Sequence, residues 1–186
     1  MFPVILAGVF NMVLLKIPFL KRLCRPIDGS KNWIDGKRIL GDSKSILGFV
    51  LMTFLSAVME MLWGFLLQGL GASYLSLLYL HFENAPTFNF LIGSIFGFLY
   101  MLFELPNSFI KRRLSVSAAE EKDKRRALKL FFFVLDQIDS MFGIMIFLGI
   151  LLHFSFWQTV FAIFMGGLTH VLVNGLLILF KVRKYL

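Results

Sequence analysis

The sequence predicts an all-α integral membrane protein: about five transmembrane helices, two basic cytoplasmic loops, an outside N-terminus and a cytoplasmic C-terminus. Three observations predict it. Of 186 residues, 58% are hydrophobic and 16% charged, against about 45–50% and about 25% in soluble domains. Uncharged runs recur at lengths that suit a hydrocarbon core of about 30 Å. All 19 Lys and Arg fall in three clusters, eight over residues 16–44, eight over 111–129 and three over 181–184. The length suits one domain. The lone Cys24 excludes a disulfide framework and a cysteine-built zinc site.

Each element follows from where charge is missing. Residues 1–15 carry none, and Lys16 can snorkel from the end of a first span at about 1–19. Their start has no basic stretch, so a cleaved signal peptide is not expected. Glu60 alone is ionisable between Ile46 and Leu80, which predicts a second span at 46–67. A protonated or water-facing Glu60 is expected there, with no assigned role. The uncharged run to Phe103 predicts a third span at 87–105. Residues 140–180 hold no Asp, Glu, Lys or Arg over 41 positions, a helix of about 60 Å and twice too long for one crossing. The run must fold back near His153-Phe154-Ser155-Phe156-Trp157-Gln158, giving spans at 130–151 and 157–180. Residues 69–88 form an external connection whose apolar part lies in the interface or re-enters. Cytoplasmic loops fall at about 20–45 and 106–129, and the basic clusters set their side by the positive-inside rule. The net charge of +8 is accounted for by topology and anionic headgroups, so no nucleic-acid partner is expected.

The first loop contains Pro26-Ile27-Asp28-Gly29-Ser30-Lys31 and Asp35-Gly36-Lys37-Arg38-Ile39-Leu40-Gly41-Asp42-Ser43-Lys44. Glycines admit close approach of an anion to backbone N–H groups, and Lys31, Arg38 and Lys44 add charge. Simple turn chemistry of the Asp-Gly pairs explains the same residues. A Walker A loop is excluded, because Asp42 stands where its Lys is required. The second loop opens at Glu104-Leu105-Pro106-Asn107-Ser108-Phe109-Ile110-Lys111-Arg112-Arg113 and closes at Asp136-Gln137-Ile138-Asp139. Asp136 and Asp139 share a helix face about 10–15 Å below Lys129. Glu104 lies about 10 Å below Lys111, Asn174 about 10 Å below Lys181, and His170 one turn deeper than Asn174. Pro106 frees a backbone carbonyl in the preceding turn, an irregularity suited to a site. His81 and His153 read as interfacial.

Carboxylates inside a membrane are costly unless they pair, hydrogen-bond or hold a cation. Asp136 and Asp139 can hold Mg²⁺, which would bridge phosphate oxygens, with Lys111, Arg112 and Arg113 neutralising the rest. A satisfied network that only fixes helix packing is the other reading of the same residues. From the residues alone the reading stops at a Mg²⁺-dependent enzyme acting on a lipid phosphate.

At these positions the chain resembles the CDP-archaeol synthases, archaeal relatives, with bacterial members, of phosphatidate cytidylyltransferase (CDP-diglyceride synthetase). The resemblance rests on Pro26-Ile27-Asp28-Gly29, Arg38-Ile39-Leu40-Gly41, Lys44, Gly48, Ser108-Phe109-Ile110-Lys111-Arg112-Arg113-Leu114 and Asp136-Gln137-Ile138-Asp139, and covers roughly residues 20–174. The chain departs from the family at Phe103-Glu104, where a Gly-Asp pair is usual, and at Ser30, Ser43, Ser45 and Ile46-Leu47. The resemblance implies a single cytidylyltransferase domain over residues 1–186, with CTP and a membrane lipid phosphate as substrates and pyrophosphate released. It implies Lys111, Arg112, Asp136 and Asp139 as catalytic. Asp28, Gly29, Lys31, Arg38, Gly41, Lys44, Asn107, Ser108 and Arg113 would bind nucleotide or phosphate. Asp136, Asp139 and Glu104 would bind metal, and His170 and Asn174 resemble the closing segment. A multi-pass protein of the cell membrane with its site facing the cytoplasm follows, and a homodimer is compatible with it. Alternatives are a polyprenol or lipid kinase, or a transporter with an intramembrane carboxylate ion site.

Overall fold

The computed structural model describes residues 2–114 and 122–179, leaving aside the side chains of 122–130, 133, 137, 174 and 176–179. Its elements are helices: α1 (Phe2–Leu14), α2 (Pro18–Leu23), α3 (Ile46–Gly69), a 3₁₀ turn (Ser73–Leu75), α4 (Leu77–His81), α5 (Pro86–Arg113), α6 (Lys122–Leu151) and α7 (Phe156–Leu179). Among the described residues β pairing is confined to isolated bridges, Pro26 with Ser45 and Asn32 with Arg38. Ile46–Gly69, Pro86–Arg113 and Phe156–Val173 are long and apolar enough to cross a membrane, and Phe2–Leu14 and Ile138–Leu151 are shorter apolar helices. The chain is a helical membrane protein.

The helices differ from the expected boundaries in two respects. The first span, expected at 1–19, stops at Leu14, and α2 starts afresh at Pro18, which has no amide to donate and holds Ile17 extended. Residues 106–113 continue α5 straight through Pro106, and 122–129 already belong to α6. The connection expected over 106–129 is therefore helical on both flanks, because Lys and Arg are good helix formers and only Pro106 opposes them. Residues 69–88 form short helices, with Tyr74, Leu75, Leu77 and Leu80 exposed and Leu78 buried.

Contacts divide the chain into two units: Met1–Ser30 with Asp42–Met101, and Lys31–Gly41 with Leu102–Leu186. In the first, Val4, Ile5, Met52, Ala57, Ile92 and Phe96 form a buried apolar core. Ser45 caps α3, its hydroxyl accepting from the Gly48 amide at 3.1 Å. Gly93 and Gly97 let α5 approach the α3 backbone: a Cβ on Gly97 would lie 2.7 Å from the Met52 carbonyl oxygen. Glu60 is only 3% exposed, so of the two states expected for it, protonated or water-facing, the second is not adopted. One turn further along, Asn84 Nδ2 donates to the Gly64 carbonyl at 2.9 Å and Asn89 Nδ2 to Asn84 Oδ1 at 2.6 Å.

In the second unit α6 and α7 pack through Met141, Ile144, Met145 and Gly166, and Gly143 receives the Phe103 ring. The turn between them explains the break within 140–180. His153 is left-handed (φ 54°), the Phe154 amide reaches back to the Gly149 carbonyl at 2.8 Å, and α6 stops there. Ser155 then opens α7 through a reciprocal box. Its amide donates to Gln158 Oε1 at 2.8 Å and its hydroxyl accepts from the Gln158 amide at 3.4 Å.

Candidate active site

The site is built where α5 leaves the apolar region and α6 enters it. Asn107 and Lys111 are four apart on α5, and Asp136 and Asp139 three apart on α6, so each pair presents one face. The helices run antiparallel here. Lys111 meets Asp136, both of whose carboxylate oxygens accept from its ammonium. One turn deeper, Asn107 Nδ2 donates to Asp136 Oδ1 at 2.6 Å and to Asp139 Oδ2 at 2.7 Å. Asp139 also accepts from the Ser140 amide at 2.6 Å. The Lys111 ammonium stands 5.6 Å from the centre of the Phe132 ring. Side-chain exposures of 35% for Lys111 and 41% for Asp136 mark the open end of the site, and Asn107, 5% exposed, marks its floor.

The donor set fits a divalent cation in its chemistry. One nitrogen holds an oxygen from each carboxylate, so both oxygens already converge on one point. Asn107 Oδ1 is buried with no hydrogen-bond partner. Turning the amide over would satisfy that oxygen only if something positive stood between the carboxylates. Glu104 stands near enough for its charge to act on Asp139, without joining a close set of three. Among the described residues no three His, Cys, Asp or Glu side chains gather closely enough to hold a metal. Glu104 lies three residues before Asn107 on α5, about 4.5 Å along the axis, and Asn107 occupies the position facing the pair.

The basic residues divide by what they touch. Residues 31–41 form a small hairpin, with the Trp33 amide donating to the Lys37 carbonyl at 2.8 Å and the Ile39 amide to the Lys31 carbonyl at 3.2 Å. Arg113, expected on phosphate, is directed at this hairpin instead. Its Nη1 donates to the carbonyls of Arg38 at 2.9 Å and Ile39 at 3.2 Å, and its Nε lies 3.5 Å from Asp35 Oδ2. The guanidinium covers the Phe109 ring at 3.8 Å. Lys37 returns the contact through its ammonium to the Arg113 carbonyl at 3.0 Å. Arg112 Nε donates to the Leu40 carbonyl at 3.3 Å. Gly41 (φ 100°) adopts a backbone that L side chains rarely take, and a Cβ there would displace the Arg112 guanidinium, whose Nη2 lies 2.2 Å from that position. The Gly41 backbone thus seats a guanidinium, which is different from the open anion cradle expected of it.

Asp28, Gly29 and Lys44 belong to the first unit. Asp28 Oδ1 accepts from the Ser30 amide at 3.0 Å, Gly29 and Ser30 are left-handed, and the Ile27 amide donates to the Lys44 carbonyl at 2.9 Å. Turn chemistry accounts for these contacts. Lys31 is exposed, Ser108 and His170 are half-buried on α5 and α7, and the Asn174 side chain lies outside the described residues. Sequence reasoning missed Trp33, Asp35 and Lys37 as partners of α5, because those contacts span 75 residues or more and no local spacing signals them. It underrated Asn107, although the i, i+4 pairing with Lys111 opposite two aspartates could have shown it.

Arg113→Lys is expected to loosen the hairpin, because an ammonium cannot hold two carbonyls and cover a ring at once. Hydrogen exchange should rise by an order of magnitude or more over residues 31–41 and stay unchanged in α7; equal protection would refute the pin.

The sequence profile of the family described as CarS-like, CDP-archaeol synthase, matches residues 4–184. A CDP-archaeol synthase of Sulfurisphaera tokodaii is 28% identical over 169 residues, covering 90% of this chain and 84% of that protein. One from Archaeoglobus fulgidus is 35% identical over 140 residues (72% and 64%), and one from Methanococcoides burtonii 33% over 134 (66% and 64%). The chain thus spans just under two thirds of the length of the last two. A solved structure described as structural insight into an intramembrane enzyme for archaeal membrane lipids biosynthesis aligns over 91% of this chain and 94% of its own, at a TM-score of 0.47 and 20% identity. A profile match that takes in both basic segments and the paired aspartates settles the kinship: the chain belongs to the CDP-archaeol synthase family.

Proposed function

We propose that the protein is a CTP-dependent cytidylyltransferase that converts a glycerol-lipid phosphate to its CDP-lipid and releases pyrophosphate. The observation that supports this most is the Asn107 amide between the Asp136 and Asp139 carboxylates, with Lys111 at the open end. An acidic pair capped by a cation, at the level where a helix meets the headgroups, suits joining two phosphates. The relatives named CDP-archaeol synthase favour the same substrates.

A lipid phosphate has a second pKa of about 6, so near pH 7 it is largely dianionic and needs no strong base. One of its oxygens bonds to the α-phosphorus of CTP as the bond to the bridging oxygen breaks, and the electron pair leaves with pyrophosphate. Asp136 and Asp139 would hold Mg²⁺, which when bound reduces repulsion between the two anions. Lys111 offers its ammonium to the triphosphate at the open end of the site, and exposed Lys31 adds charge. Asn107 fixes the spacing of the carboxylates. Phe131, more than half exposed, offers an apolar wall for lipid chains. In this reading the basic segments face the cytoplasm from the cell membrane.

The deciding assay gives purified protein in detergent CTP with phosphatidic acid or a matched archaeal ether-lipid phosphate, with and without Mg²⁺. Pyrophosphate and CDP-lipid should appear in equal amounts and only with the metal. Release of CDP instead would indicate a lipid kinase, and ion flux in sealed vesicles without nucleotide turnover a transporter; either overturns the proposal.

A further inference from the structure

The hairpin at residues 31–41 ends in a tip that its own fold does not use. Trp33, Ile34, Asp35 and Gly36 make the turn, closed by the Gly36 amide on the Trp33 carbonyl at 3.0 Å. Gly36 is left-handed (φ 73°), the residue that a three-residue hairpin loop requires. Asp35 Oδ1 accepts from the Lys37 amide at 3.0 Å. Local bonds therefore fix the tip, yet Ile34 is 94% exposed and Trp33 49%. Trp33 rests one edge on Phe109, ring centres 5.6 Å apart at 87°, and leaves much of its indole uncovered.

Where the tip is tied matters more than that it is apolar. Arg113, Lys37 and Phe109 fasten the hairpin to the last turn of α5. That helix has 28 residues, about 42 Å, which matches a bilayer with its headgroups at about 40–45 Å. Its last turn therefore lies at headgroup depth. Ile110 and Leu114, on the same stretch as the pin, are 42% and 49% exposed. The hairpin carries Lys31, Lys37 and Arg38 against Asp35 alone. Indole, branched aliphatic and cationic side chains together are the composition that an anionic membrane interface selects. A single exposed Ile would need no explanation; an Ile-Trp tip held rigidly at headgroup depth among basic residues does.

The geometry points to the Trp33-Ile34 tip as an interfacial anchor that inserts among the headgroups of the bilayer that α5 crosses. The tip would hold the hairpin, with Lys31 and Arg38, at the level of lipid phosphates. This inference does not rest on the proposed reaction.

The test uses the full chain with Trp63→Phe and Trp157→Phe, leaving Trp33 as the only indole, in vesicles of phosphatidylcholine and phosphatidylglycerol. Lipids brominated near the glycerol end should quench Trp33 by half or more, while aqueous iodide quenches it several-fold less than free tryptophan. Adding Ile34→Asp should cut the bromolipid quenching at least twofold with unchanged helicity. If the triple variant folds poorly, Ile34→Cys in a Cys24→Ser background, labelled with an environment-sensitive dye, gives the same readout and should shift to the blue in vesicles. Iodide quenching as strong as for free tryptophan, with no bromolipid effect, overturns the anchor. So does shielding of Trp33 by CTP alone, which would make the tip a nucleotide platform.

Discussion

Asp139→Asn is expected to lower turnover about 10²–10³-fold, the scale of losing one preorganised electrostatic group at a reacting centre. Asp139 is the cleaner target of the two aspartates. Its partners, the Asn107 amide and the Ser140 amide, are both neutral donors, so removing its charge strands no cation. Asp136 differs, since its loss would leave the Lys111 ammonium without its carboxylate, and an unpaired half-buried charge destabilises in its own right. The amide at 139 keeps the volume and an oxygen for Asn107, while its NH₂ replaces the oxygen that accepts from the Ser140 amide, a loss of about 1 kcal/mol. Helicity and melting temperature should therefore stay near those of the parent while kcat/KM for CTP collapses. Parent-level turnover in a folded variant would remove Asp139 from the reaction and with it the metal proposal.

Gly97→Val is expected to give the largest loss of stability. A Cβ there meets backbone, 2.7 Å from the Met52 carbonyl oxygen and 2.7 Å from Thr53 Cα, and Gly93, four residues earlier, sits 2.6 Å from the Ser56 carbonyl in the same way. Backbone cannot swing aside as a side-chain tip can, so the helices must part. Small residues at this spacing are how membrane helices gain close packing without a hydrophobic driving force. Overpacking of this kind costs about 1–3 kcal/mol or more, a fall of several degrees for a chain of this size. Gly175→Ala is the control, since a Cβ there meets nothing within 4 Å. Equal melting of the two variants in detergent would show that α3 and α5 do not depend on this contact.

Much of the helical framework was legible because it follows from one-dimensional signals. The uncharged runs gave α3, α5 and α7, and the polar cluster after Leu151 marked the break, which Ser155 and Gln158 then complete with local bonds. The aspartate pair was legible because i, i+3 spacing on a helix fixes a shared face. What faces that pair was not. Nothing in the local pattern says that Asn107, rather than Glu104, takes the place between the carboxylates, since both lie on the same side of α5 and a few ångströms of rise decide between them. Arg112 and Arg113 look alike as neighbouring cations. Their destinations on Leu40, Arg38 and Ile39 depend on how residues 31–41 fold back over 70 positions away.

The turn after α6 carries a consequence for biogenesis. Its stop and start signals lie within ten residues, from the Gly149 carbonyl to the Gln158 amide. Closing so short a loop carries little entropic cost, and such elements form early. The last two helices can thus enter the bilayer as a ready-made couple, bringing Asp136 and Asp139 with them. Completing the floor of the candidate site then reduces to docking against α5, for which Asn107 acts as the register mark: a slip of one turn would leave both acids without their shared donor.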